Sequence, residues 1–269
     1  MLKGNSSYNK NVLSKFFLGF SIISLFYLLF IYSNSFFVGQ CKEYINLAFV
    51  MDMSSSITSK NYPKEKDFVK NVADTFSISP TKTDVGVVTY NRDAKLWIRF
   101  GQYSNNDDFK KAVDKIPYWG GSTRIDNGLK MASVELFDTI KGERAKLPNV
   151  LILLTDGKQN ADPRATPLEE AVLPLFQLGV KVFAVGVGDQ ISRDELRLIV
   201  EKDQDIFTVD DFDDLLAKSH QIARAACDEV KATERKWTLV LGLLLGFKTI
   251  LSLGSSQLFK SKMADRPEC

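Results

Sequence analysis

The sequence predicts an α/β fold: a doubly wound, mostly parallel six-stranded sheet with one antiparallel edge strand and helices on both faces. Three observations predict it. Between about Tyr44 and Cys227, short apolar runs alternate with segments of helical periodicity. The runs are continuous rather than alternating in polarity, as strands covered on both faces must be. One pair of runs is joined by too few residues for a crossover, so those two strands must be antiparallel.

The elements follow in order. Tyr44–Met51 (YINLAFVM) reads as a buried first strand. Asn61–Phe76 reads as a helix, with Pro63 suited to its first turn and Phe68, Val69, Val72 and Phe76 on one face. Asp84–Tyr90 and Lys95–Phe100 are the antiparallel pair, separated by Asn91 to Ala94. A short helix is expected over Asp107–Lys115, broken off by Gly120-Gly121, and a longer one over Arg124–Phe137 with Ile125, Leu129, Ala132 and Leu136 buried. Val150–Thr155 is the next strand. Thr166-Pro167-Leu168-Glu169 has the form of a capping box for a helix ended by Gly179. Val180–Val187 is a strand, and Ser192-Arg193-Asp194-Glu195 is a second capping box for a helix to about Glu201. Ile206–Val209 is a short last strand. Asp210–Cys227 is the last helix, with Asp211, Asp213 and Asp214 near its positive end.

Composition narrows the chemistry. The 269 residues are 45% hydrophobic and 25% charged, values that fit a globular chain and neither disorder nor a collagen repeat. Lys and Arg are interleaved with Asp and Glu for a net charge of +2, so no nucleic-acid footprint is expected. His220 is the single histidine, which leaves a His-based triad or a His-rich zinc site almost nothing to build on. It reads as a residue on the exposed or half-buried face of a late helix. No G-x-G-x-x-G follows the first strand, which argues against a dinucleotide site.

The termini suggest targeting. Lys3, Lys10 and Lys15 precede an apolar run over 16–32, followed by Ser33-Asn34-Ser35, the layout of a secretory signal. The run is long enough that an uncleaved signal anchor is the alternative. Residues 1–35 are therefore expected to be a signal peptide or anchor, 41–227 the folded domain, and 228–269 a tail. That tail holds a second apolar segment, 237–253, in which Lys248 opposes a membrane span; membrane anchoring through 16–32 or 237–253 is the alternative to full secretion. An oxidising destination makes a disulfide between Cys41 and Cys227, which bracket the domain, the expectation; two unpaired thiols are the alternative. Cys269 is left unassigned.

In doubly wound sheets ligands bind at the strand carboxyl ends. The first strand ends in Asp52-Met53-Ser54-Ser55-Ser56, the fourth in Thr155-Asp156-Gly157, and Gly120-Gly121-Ser122-Thr123 opens a helix between them. If the first and fourth strands are neighbours, Asp52, Ser54, Ser56, Thr123 and Asp156 converge. Two carboxylates and three hydroxyls suit Mg²⁺, with Ca²⁺ or Mn²⁺ possible, and disfavour zinc or copper. The neutral hydroxyls leave a divalent charge under-neutralised, so the ion seeks an acidic oxygen from outside. Each position alone is equally suited to capping or a turn; the convergence of all of them is what points to a cation. Asp126, beside Thr123, reads as a helix N-terminal charge partner.

Asp52-x-Ser54-x-Ser56, the Gly-Gly-x-Thr123 loop and Thr-Asp156-Gly together resemble the metal-ion-dependent adhesion site of von Willebrand factor A domains, a Rossmann-like fold. The resemblance spans about Cys41 to Cys227, and the bracketing cysteines look like those of secreted matrix members such as matrilins and collagen VI-type proteins. It implies that Ser54, Ser56 and Thr123 ligate the metal directly, that Asp52 and Asp156 act largely through water, and that an acidic residue of an extracellular protein, collagen among the candidates, completes the octahedron. Met53 and Ser55 stand where many members have Gly. The expected function is extracellular, matrix-type adhesion without catalysis. The alternatives are a structural matrix module that uses the metal for stability alone, and a Mg²⁺-dependent hydrolase with Asp52 as nucleophile, for which Ser54 is a poor general acid.

Overall fold

The computed structural model describes residues 41 and 44–228, and they build one six-stranded sheet in the order β3-β2-β1-β4-β5-β6. The strands are β1 (Asn46–Asp52), β2 (Asp84–Tyr90), β3 (Ala94–Ile98), β4 (Asn149–Thr155), β5 (Val180–Val187) and β6 (Ile206–Val209). All neighbours pair parallel except β2 and β3, which are antiparallel. The expected topology is the one found, with β1 between β2 and β4 at the switch point. The apolar runs 16–32 and 237–253, the proposed signal and tail, and Cys269 lie outside the described residues. Among the described residues no helix is long and apolar enough to cross a membrane.

The continuous apolar strands are explained by two cores, one on each face. Leu47, Phe49 and Met51 of β1 point to one face, where they meet Phe68, Val69 and Val72 of helix α1 (Thr58–Asp74) and Phe109 and Val113 of α2 (Asn106–Asp114). The last helix, α6, described over residues 212–228, covers the same face through Leu215, Ile222 and Ala226. Ala48 and Val50 point the other way, toward Ile125 and Leu129 of α3 (Ile125–Glu135) and Val172 and Leu175 of α4 (Leu168–Gln177). A short helix, α5 (Arg193–Leu198), completes that face through Leu196. Period-two alternation thus feeds two hydrophobic layers rather than one layer and water.

Several element ends differ from expectation. Helix α1 starts at Thr58, three residues earlier than the sequence suggests, so Pro63 lies inside it rather than in its first turn. The capping box at Thr166–Glu169 does not form: α4 has no side-chain cap, because the Thr166 amide donates to the Asp126 carboxylate (2.9 Å). The second box forms by half. Ser192 accepts from the Glu195 amide, while the Glu195 carboxylate is taken by the Gln159 amide (2.8 Å). Helix α5 ends at Leu198, short of Glu201, and α2 ends at Asp114, well before Gly120. His220 is exposed on α6.

Cys41 and Cys227 are joined by a disulfide (S–S 2.04 Å). The Cys41 amide donates to Thr75 at the end of α1 (2.9 Å), which puts the bridge near the amino end of β1.

Candidate functional site

At the opposite, carboxyl end of β1 the chain leaves the sheet through Asp52, which is fully buried. Buried carboxylates need donors, and Asp52 has several. Its Oδ1 accepts from the Ser54 amide (2.8 Å); its Oδ2 accepts from the Tyr90 hydroxyl and the Thr155 hydroxyl (both 3.0 Å). The Leu154 carbonyl lies 2.9 Å from the same Tyr90 hydroxyl and shares its single proton with Asp52, so the ends of β1, β2 and β4 are tied at one point. The Asp52–Ser56 loop then turns back on itself. Ser54 Oγ and Ser56 Oγ lie 2.9 Å apart, and Ser56 Oγ donates to Asp156 Oδ1 (2.7 Å). Asp52, Ser54, Ser56 and Asp156 are therefore linked in one chain of contacts.

Thr123 reaches this rim through its loop. Gly120 and Gly121 adopt φ of 69° and 124°, conformations that a side chain would strain. A Cβ on Gly121 would also press into Asn91 at 3.1–3.2 Å. The loop is laced to the first one: the Ser55 amide donates to the Gly121 carbonyl (2.8 Å) and the Gly121 amide to Ser55 Oγ (2.9 Å). Thr123 itself is clamped by Asn160, whose side chain accepts from its amide and whose amide donates to its carbonyl (2.8 Å). The Thr123 hydroxyl makes none of the hydrogen bonds that join the other four side chains. Among the described residues, Thr58 is the one non-glycine residue with positive φ (64°), an uncommon state for a β-branched residue, at the junction of the Asp52–Ser56 loop and α1.

Around these residues lie groups that sequence reasoning did not single out. Tyr118 donates to the Ser54 carbonyl (3.0 Å), and its ring lies 5.3 Å from that of Tyr62 at a tilt of 41°. Glu65 and the Tyr62 hydroxyl are buried without a hydrogen bond of good geometry, the Asp52 backbone being the polar group that comes nearest to serving the Glu65 carboxyl. Glu65 sits on the inward face of α1, where the pattern of Phe68, Val69 and Val72 leads the eye past it; nothing but its polarity marks it. Asn160 and Tyr90 carry no motif signal and are recognisable once the strand ends are assembled. Asp126 forms a buried bidentate pair with Arg124 (2.7 Å to each oxygen) and is not directed into the cluster by any hydrogen bond.

Electrostatics fit a cation. With no positive charge beside it, burial pushes the Asp52 carboxyl up to about 6, and the Asp156 charge adds to this. Burial, followed by the charges of Asp52 and Asp156, raises Glu65 well above the usual carboxylate range. Burial likewise raises Asp156. Among the described residues no three His, Cys, Asp or Glu side chains form a metal cage, so an ion here would depend on the hydroxyls of Ser54, Ser56 and Thr123 together with the two aspartates. That donor set is all oxygen and suits a hard divalent cation.

Comparison with known proteins gives the same picture. The family model described as von Willebrand factor type A domain matches residues 46–221. Human vitrin (Homo sapiens) is 32% identical over 198 residues, covering 72% of this chain and 28% of vitrin. The collagen alpha-1(XXI) chain of Xenopus laevis is 34% identical over 176 residues, covering 64% of this chain and 18% of that one. Among solved structures, proximal thread matrix protein 1 from the mussel byssus, described with a zinc-occupied MIDAS motif, is 34% identical with a TM-score of 0.64, covering 71% of this chain and 47% of that one. The chain thus spans less than a third of the two curated relatives and under half of the mussel protein. Zinc in that relative also shows that such a motif does not exclude zinc, contrary to the expectation from donor hardness alone.

Proposed function

The chain belongs to the von Willebrand factor type A family, and we propose that it is a matrix adhesion module that holds an extracellular protein partner through a divalent cation. Its relatives make it a protein of the secreted, extracellular-matrix kind. The observation that carries the proposal is the oxygen cluster at the strand ends, where Ser54, Ser56 and Asp156 lie within hydrogen-bonding distance in sequence and Asp52 is fixed behind them. In this reading Ser54, Ser56 and Thr123 hold the ion directly. Asp52 and Asp156 act mainly through water, and an acidic side chain of the partner, from collagen or another matrix protein, supplies the remaining oxygen.

The ion would be Mg²⁺, Ca²⁺ or Mn²⁺ on the chemistry of the donors, with zinc admitted by the mussel relative. Its role is to present positive charge at the surface that neutral hydroxyls leave uncompensated. Catalysis through Asp52 has no support from the geometry. Its Oδ1 is held by the Ser54 amide and its Oδ2 by two hydroxyls, and the position two residues on is a serine.

The test is a binding screen against collagens and other matrix proteins in Mg²⁺ and in EDTA. The expected outcome is binding in Mg²⁺ that is abolished by EDTA and lowered at least tenfold, about 1.4 kcal/mol, by Thr123→Ala. Binding that survives both treatments would leave the metal a structural role and reject the proposal.

A further inference from the structure

Three loops carry the oxygens of the cluster, and each is joined to the other two. Ser56 of the loop after β1 donates to Asp156 of the loop after β4 (2.7 Å). Ser55 of that first loop accepts from the Gly121 amide (2.9 Å). Asn160, in the same loop as Asp156, closes the remaining side of the ring on Thr123.

The Thr123 joint differs in kind from the others. None of the hydrogen bonds that link the other four motif side chains reaches the Thr123 hydroxyl. Its place is therefore set by its backbone. Threonine is β-branched and stiff at χ1, so a fixed backbone restricts where the hydroxyl points. Both polar groups of that backbone go to one residue: the amide donates to Asn160 Oδ1, and the carbonyl accepts from the Asn160 amide (2.8 Å). Asn91 holds only the flanks, donating to the Gly120 carbonyl and accepting the Arg124 amide at its own carbonyl (3.0 Å). Two glycines at positive φ precede Thr123, and the freedom they give the loop is what such a restraint removes.

Asn160 is itself fixed from behind. The Gln159 amide donates to Glu195 of α5 (2.8 Å), and Gln159 Oε1 accepts the Asp126 amide at the start of α3 (3.1 Å). The restraint on Thr123 is thus anchored to two helices. Asn160 is exposed while Thr123 is buried, so truncating Asn160 removes an acceptor and opens no core cavity.

We propose that Asn160 is a positioning residue for the cation: its Oδ1 oxygen holds the Thr123 amide and so aims the Thr123 hydroxyl before the ion arrives. This rests on the adhesion reading above. A ligand ordered in advance has little freedom left to lose on binding. Loss of a side chain that orients a ligand in this way lowers metal affinity by roughly 10–100-fold.

The experiment uses the full chain and two readouts: Mg²⁺ uptake by calorimetry, and exchange of the Thr123 amide hydrogen in EDTA. Asn160→Ala is expected to weaken Mg²⁺ binding about tenfold or more and to speed exchange at Thr123. Asn160→Asp keeps the acceptor and is expected to bring both readouts back near wild type. Since Asp also adds charge, Asn160→Ala combined with Ala161→Asp supplies a carboxylate next door without the acceptor; it is expected to stay as weak as Asn160→Ala alone. Wild-type affinity in Asn160→Ala, failure of Asn160→Asp to recover either readout, or recovery in the Ala161→Asp control overturns the proposal. Absence of uptake by the wild type, or uptake untouched by Thr123→Ala, instead rejects the metal reading itself and the proposal with it.

Discussion

At the scale of single residues, burial holds the acids of the cluster at an unfavourable cost that the proposed cation would relieve. Asp52 shows the sign. Its carboxyl is raised from near 4 to about 6 by burial, so the folded, ion-free protein binds a proton more tightly than the unfolded chain. Stability from this group is complete below about pH 4 and is lost as pH rises through about 6, an effect of about 3 kcal/mol. In EDTA, the urea midpoint of the wild type should therefore fall between pH 4.5 and 7. The Asp52→Asn variant should lack that portion of the slope, and a saturating divalent ion should restore the midpoint at pH 7. Glu65 offers a second test. A buried carboxyl without a well-formed hydrogen bond costs roughly 1–3 kcal/mol, so Glu65→Met, similar in length and apolar, should raise stability by up to that amount in urea titrations in EDTA. The contacts among Asp52, Ser54, Ser56 and Asp156 were legible in sequence because each lies in a short local pattern at a strand end. Glu65, Tyr118 and Asn160 were not, since their roles arise from neighbours distant in the chain.

At the scale of elements, the entry to α3 matters most, because the loop that leads into it carries Thr123. Arg124 and Asp126 are both nearly inaccessible, and the pair also accepts the Thr166 amide that opens α4. Burial opposes the Asp126 charge, but the Arg124 guanidinium and the Thr166 amide outweigh it and hold the carboxyl below the usual range. Asp126→Asn would leave the buried guanidinium with Asp162 (3.2 Å) as its remaining ion pair. A loss toward the lower end of about 3–5 kcal/mol is expected in chemical denaturation, in line with breaking a buried pair. The same long-range bond explains a misreading. Thr166 and Glu169 have the right spacing for a cap, yet the amide that a box would organise already serves Asp126. Strands were legible to within about two residues, because the four central ones, β1, β2, β4 and β5, are buried almost throughout. Helix ends were less so: at Pro63, where the extra turn begins at a strained Thr58, local propensity gave way to the demands of the loop before it.

At the scale of the whole molecule, topology followed from strand adjacency: a gap of a few residues dictates a hairpin, and longer gaps dictate right-handed crossovers. How the ends of the domain meet was legible too, since the bracketing cysteines led to the expectation of the Cys41–Cys227 disulfide that is found. The disulfide closes 186 residues of separation. In the chain-entropy model such a loop contributes about 5 kcal/mol, so Cys41→Ser with Cys227→Ser should lower unfolding free energy by up to that amount, with EDTA-sensitive partner binding retained at low temperature where the fold persists.

The bridge has a mechanical corollary. The two cysteines join the chain at the foot of β1, while the oxygen cluster crowns its other end. Tension between whatever precedes Cys41 and whatever follows Cys227 passes through one sulfur–sulfur link and leaves the sheet unstretched. A pull between a partner held as proposed at the far end and either flank would, in contrast, run lengthwise along β1, shearing it against β2 and β4 together.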